Sequence, residues 1–129
     1  MPVRIVRLGT PRHADEGTRI GTVRRPPRGV PKTEFATQDW YDVWFPTLAP
    51  SVPTMKLAQA AVRERDWDVF RKKFKAELAA PEASRALDVL AAMSHASNFS
   101  VGCYCEDEAH CHRSVLRAEL TARGAVIAR

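Results

Sequence analysis

Three cysteines, Cys103, Cys105 and Cys111, fall within nine residues, and none occurs elsewhere in the chain. His110, His112 and Arg113 stand among them in the run CYCEDEAHCHR. Thiols beside imidazoles and a guanidinium support three kinds of chemistry. A thiol at the start of a helix, next to His112 and Arg113, has its pKa lowered and becomes a nucleophile near neutral pH, which marks Cys111 as the candidate catalytic residue. Alternatively, Cys103, Cys105 and Cys111 with His110 or His112 offer a tetrahedral set of ligands for zinc, although CxC followed by CH is not the paired CxxC or HxxxH spacing of most structural zinc sites. The third is a reversible disulfide between Cys105 and Cys111, a redox switch. The phosphatase spacing of Cys, five residues, then Arg is not met in a loop: six on from Cys103, Cys105 and Cys111 lie Ala109, Cys111 and Arg117, the last well along a helix. Glu106, Asp107 and Glu108 offer carboxylates for base catalysis or cation binding, but adjacent loop carboxylates are ordinarily just solvated.

The same run suits an anion. The first turn of a helix presents unpaired N–H groups and a partial positive charge, and Arg113 adds a bidentate donor beside them. A second source of positive charge lies far off in sequence. Residues 1–32 hold eight basic side chains (Arg4, Arg7, Arg12, Arg19, Arg24, Arg25, Arg28, Lys32) against Asp15 and Glu16, a net of +6, while the formal charge of the whole chain is +5. Arginine outnumbers lysine 15 to 5, a choice that favours planar recognition of anions. The candidate anion-binding residues are therefore Arg19, Arg25 and Arg28 from the basic segment, and His112, Arg113 and Ser114 from the helix start. The competing reading of any one of these arginines is a solvated sheet edge.

The elements that must position these residues follow from pattern. Val3 to Leu8 and Arg19 to Val23 are short β-branched runs separated by turn residues, so two strands are predicted. RRPPRGVPK, with Pro26, Pro27, Pro31 and Gly29, is a shaped loop. Asp39 is placed to cap a short helix containing Trp40, Val43 and Trp44 and ended by Pro46, and LAPSVP reads as a Pro-bounded turn. Asp66 is the predicted N-cap of an amphipathic helix whose buried stripe is Trp67, Phe70, Phe74 and Leu78. A further helix runs from Pro81 to about Ala96, with His95 near its C-terminal dipole. FSVGCYC has strand character, a helix runs from Cys111 or His112 to Arg123 with Gly124 as its cap, and AVIA is a last short strand. Strand, helix, strand in this order predicts parallel pairing in a small three-layer α/β domain, a mostly parallel sheet flanked by helices, with the cysteine run at the carboxyl end of a strand where such sheets bind ligands.

At 129 residues, with 45% hydrophobic and 27% charged residues, the chain has the composition of one globular domain, residues 1–129. No apolar run is long enough to span a membrane and the first residues lack a signal-peptide core, so a cytoplasmic protein is expected. An odd, clustered cysteine count excludes a disulfide scaffold.

The runs EGTRIGTVRRPPRGVPK, DWYDVWFPTLAPS, FRKKFKAEL and CYCEDEAHCHRSVLRAEL, in that order, resemble the DUF488 family of bacterial proteins, including its YeaO-like branch. The resemblance covers about residues 3 to 123, and its most specific pieces are the loop Arg25 to Gly29 and the CHR of Cys111 to Arg113. The family pattern has a cysteine eight residues before the CHR cysteine, here Cys103, and frequently a Glu where this chain has Cys105. The resemblance implies a small α/β fold and a site joining the Arg loop to the CHR turn; it brings no reaction, and fold does not supply one. The expected function is binding of a small anionic or phosphate-bearing ligand, with no cofactor required and Cys111 available as nucleophile. The alternatives are a nucleic-acid-binding protein using the basic segment with Trp40 and Trp44 as stacking platforms, a zinc or redox module using the Cys/His cluster, and an interaction module whose cysteines are inert.

Overall fold

The computed structural model describes residues 2–128. Four strands, Val3–Arg7 (β1), Thr18–Gly21 (β2), Val43–Trp44 (β3) and Phe99–Cys103 (β4), form one sheet in the order β1, β4, β2, β3, and every pairing is parallel. Four helices accompany them: Val52–Ala60 (α1), Glu64–Leu78 (α2), Pro81–Met93 (α3) and His112–Ala122 (α4). The expected α/β architecture with a parallel sheet is the one observed. None of these helices is long and apolar enough to cross a membrane.

β4 is central and buried along its whole length. Its odd positions, Phe99 and Val101, lie beside Val3 and Ile5 of β1 and Thr18 and Ile20 of β2. That face packs on Phe74 and Leu78 of α2, Leu87 and Leu90 of α3, and Leu116 and Leu120 of α4, which form the main core. Each such side chain, fully enclosed, contributes roughly 1.5–3 kcal/mol through removal of apolar surface from water. The even positions carry different chemistry. Ser100 lies beside Arg19, and Gly102 lies beside Val6 and Gly21. A Cβ on Gly102 would stand 2.7 Å from the Val6 carbonyl oxygen and 2.9 Å from Leu8. Gly102→Ala is therefore expected to lower stability by about 1–3 kcal/mol through overpacking, read as a lower urea midpoint at unchanged slope.

Four expectations need correction. Val43 and Trp44 do not lie in a helix capped by Asp39; they form β3 alongside Ile20 and Gly21, and Asp39 takes a left-handed φ of 61°. Sheet pairing, a long-range contact, overrides the local spacing of Trp40, Val43 and Trp44. LAPSVP is not only a turn, because Ser51 caps α1 with its side chain accepting from the Thr54 N–H, and proline in the first turn is tolerated there. Asp66 belongs to the first turn of α2 and not to its cap position, accepting from the backbone N–H groups of Val62 and Arg63. Beyond α4, where Gly124 has a left-handed φ of 80°, the last strand is a single parallel bridge between Val3 and Ile127.

Candidate functional site

The carboxyl ends of β1, β2 and β4 open into a cleft of about 1100 Å³. Arg7 and Leu8 enter it from β1, Val23 to Arg28 from the segment after β2, Cys103 to Cys105 from β4, and Met55, Lys56 and Gln59 from α1. The Pro-rich wall is pinned by three side chains through four hydrogen bonds. Arg24 donates to the carbonyls of Pro50 (3.0 Å) and Ala49 (2.9 Å), the Trp44 indole N–H donates to the Val23 carbonyl (2.8 Å), and the Tyr104 hydroxyl donates to the Arg25 carbonyl (2.9 Å). Arg24 is thus a structural clamp. Its neighbours differ: Arg25 and Arg28 are exposed and line the cleft, and no side-chain hydrogen bond or ion pair engages either among the described residues.

Opposite this wall lie the sulfurs. Cys103 ends β4, Cys105 sits two residues on, and Cys111 precedes α4 as its N-cap residue. Cys103 and Cys111 are buried, Cys105 is exposed, and all three are free thiols. The three thiols act on one another's ionisation. The neighbouring Cys105 and Cys111 sulfurs, together with burial, hold the Cys103 thiol up and protonated. Receiving from Cys103 and sharing a bond with Cys111 pulls Cys105 down, and the Arg113 guanidinium adds to the effect. Cys111 is also lowered, first by its bond with Cys103. Of the three, Cys105 is therefore the thiol most favoured to ionise.

His112 approaches the Thr22 carbonyl through Nε2 at 2.6 Å, and because a carbonyl can only accept, Nε2 carries the hydrogen. Its Nδ1 then faces Cys111 Sγ at 3.8 Å. The ligand atoms of Cys103, Cys111 and His112 all lie within 4.8 Å of one another, a buried group able to hold a metal ion.

The anion candidates separate. Arg25, Arg28 and His112 line the cleft. Arg19 does not: it is fully buried, its Nε and Nη2 donate to Glu16 at 2.6 and 3.0 Å, and its Nη1 donates to the carbonyls of Thr10 and Asp39. It faces inward because strand alternation puts it beside Ser100, and its role is to close the sheet. Arg113 lies behind the thiols, where Nη2 donates to the Cys105 carbonyl at 2.5 Å and Nε is buried without a partner. Burial works against its charge, and the adjacent Cys103 and Cys111 sulfurs outweigh that effect, holding the guanidinium above its ordinary value. Ser114 turns back onto the Cys111 carbonyl at 2.9 Å, away from the cleft. Cys111 is 3% exposed and does not line the cleft, whereas Cys105 does. His110 is not part of the metal-capable group either. It stacks on Trp67 with centroids 4.6 Å apart and bridges Glu64 and Asp107; of the two imidazoles weighed, His112 is the one in the group, and Cys105 also lies outside it.

The loop carboxylates are mostly engaged: Glu108 pairs with Arg117, and Asp107 accepts from the Ala109 N–H. His95 stays structural, its ring 2.7 Å from the Gly124 carbonyl. Pattern reasoning missed Arg7, Lys56 and Tyr104 as cleft residues. Arg7 was within reach as the last residue of a strand whose carboxyl end faces the site; Lys56 was not, because α1 itself was hidden by its prolines.

The family model described as the active DUF488-N3 subclade matches residues 3–124. No curated protein and no solved structure gives a significant match. The Arg25 to Gly29 loop and the CHR turn, which carried the resemblance in the sequence, are the segments that meet around the cleft, and the chain belongs to the DUF488 family.

Proposed function

We propose that the cleft binds a small anionic, phosphate-bearing ligand and offers it the thiolate of Cys105. The observation that carries this reading is the pair Arg25 and Arg28, free of protein partners, sharing one cleft with a thiol whose pKa is pulled down. Neighbouring hydrogen-bond donors and Arg113 favour the charged sulfur, which is the form that attacks an electrophile. The reacting thiol thereby moves from Cys111 to Cys105, because only Cys105 is both exposed and in the cleft. Free clustered thiols suit a reducing, cytoplasmic compartment.

Calorimetric titration with pyrophosphate tests the anion half. Saturable binding is expected, weakened at least about tenfold in Arg25→Ala/Arg28→Ala, since each charged hydrogen bond is worth roughly 1.5–3 kcal/mol. Equal affinity in the double variant, or no binding to the wild type, would reject it.

A second reading is favoured by one specific geometry. Cys103, Cys111 and His112 converge, and His112 donates its remote N–H to a backbone carbonyl, as zinc-ligating histidines do. These three donors fit Zn²⁺, with a fourth position left open. Protein purified without a polyhistidine tag would then carry about one zinc per chain, and His112→Ala would lose it. A zinc-free wild type would dismiss this reading and leave the anion reading standing.

A further inference from the structure

We infer that the phosphate-bearing ligand of this cleft is a nucleoside phosphate, its base against the Trp40 and Tyr104 wall and its phosphates on Arg25 and Arg28. The inference rests on the anion reading above and adds the part of the ligand that is not phosphate. A cleft of about 1100 Å³ lies at the upper end of the range of small-molecule sites and is far larger than an inorganic anion fills. Its lining is divided. Cations from three segments, Arg7, Arg25, Arg28 and Lys56, stand with an apolar wall that includes Leu8, Met55 and the two aromatic rings.

The aromatic pair is held in place from behind. Trp40 and Tyr104 meet edge to face, with centroids 5.8 Å apart and planes at 74°. Gly9 makes room for the indole, since a Cβ there would lie 2.8 Å from it. The Tyr104 hydroxyl is tied to the Arg25 carbonyl, so the ring wall and the cationic loop form one rigid unit. Trp40 is half-buried: with Tyr104 it packs against the small core cluster that includes Leu8, Val23 and Cys103, and it also lines the cleft. Rings next to unpaired guanidinium groups recognise a ligand with a planar face at one end and negative charge at the other.

The basic segment does not form an electrostatic track for a polynucleotide. Arg4 pairs with Asp15, Arg12 with Asp42, Arg19 with Glu16, and Arg24 with backbone carbonyls. Trp44, the other stacking candidate, borders a separate hollow with Tyr41 and Phe35. One base and its phosphates is therefore the favoured occupant.

The test compares ADP, CDP, pyrophosphate and a single-stranded oligonucleotide by calorimetry, on the wild type and on Trp40→Leu. At least one nucleotide is expected to bind about tenfold or more tightly than pyrophosphate, the scale of one base stacking on an aromatic ring. In Trp40→Leu that ratio falls toward one, a readout independent of any general loss of affinity. If pyrophosphate binds and neither nucleotide binds more tightly, the inference is overturned while the anion reading stands. A preference that survives Trp40→Leu also overturns it, as does tighter, steeply salt-dependent binding of the oligonucleotide. Failure of every probe, pyrophosphate included, overturns both.

Discussion

Arg19→Met is expected to destabilise the protein by about 3–5 kcal/mol, the cost of leaving a buried carboxylate without its partner. Single domains have only about 5–15 kcal/mol to lose, so the variant is expected to be close to unfolding at ambient temperature. The reason lies in Glu16, which is 1% exposed and accepts from Arg19, from Ser100 and from the His13 N–H. Burial alone pushes its carboxyl up, and the bonds from Arg19 and Ser100 more than reverse this, bringing it down to about 2. A carboxyl lowered in the folded state contributes stability that is fully present above its unfolded value, near 4.5, and is lost as pH falls toward 2. Urea denaturation as a function of pH should therefore show wild-type stability dropping across that window, and a shallower drop in Arg19→Met. Glu16→Leu/Arg19→Met, which removes both charges, should recover much of the loss at neutral pH. A single variant as stable as the wild type would mean that the pair does not hold the sheet closed.

Cys103→Ala is expected to move the pH midpoint of Cys105 alkylation upward by about one to two units. The Cys103 thiol is the leading donor to Cys105, and a hydrogen bond to a charged group is worth roughly 1.5–3 kcal/mol, or about one to two pH units. The sign follows directly. Removing a donor to the thiolate raises the pKa of Cys105, so the fraction ionised falls around and below the wild-type midpoint, while the rate at pH 9 changes little. Arg113→Met should shift the profile in the same direction by removing the cation behind the cluster. Iodoacetamide labelling followed by peptide mass spectrometry measures both; an unshifted Cys105 profile in both variants would show that the neighbouring thiol and guanidinium do not set its ionisation.

Much of the fold was legible because it rests on strong local signals. Val3–Arg7, the Phe70, Phe74 and Leu78 stripe, Pro81 at a helix start and Gly124 at a helix end all sit where periodicity and terminal residues put them. α1 was obscured because Pro50 and Pro53 look like turn residues, and the helix they introduce is short and only weakly amphipathic. β3 was obscured because two residues carry no period of their own; only pairing with Ile20 and Gly21 makes them a strand.

The site was legible as a meeting of two segments, and less so residue by residue. Arg19, Arg25 and Arg28 look alike in a list of basic residues. Strand alternation buries Arg19, and Glu16 three positions earlier was the sign that it would be matched internally. Cys105, and not Cys111, is the exposed thiol lining the cleft because β4 ends at Cys103, so Cys105 leaves the sheet while Cys111 is buried. Spacing left His110 and His112 as equal candidates for the metal-capable imidazole; Trp67 and two carboxylates hold His110 outside.

The most direct measurement is the pH profile of Cys105 alkylation by iodoacetamide, taken with and without pyrophosphate. A thiolate at the floor of an anion cleft gives a rate that stays on its plateau well below pH 7 and falls saturably as pyrophosphate fills the cleft. A rate that climbs about tenfold per pH unit up to the ordinary thiol range near 8.5, indifferent to pyrophosphate, would contradict it.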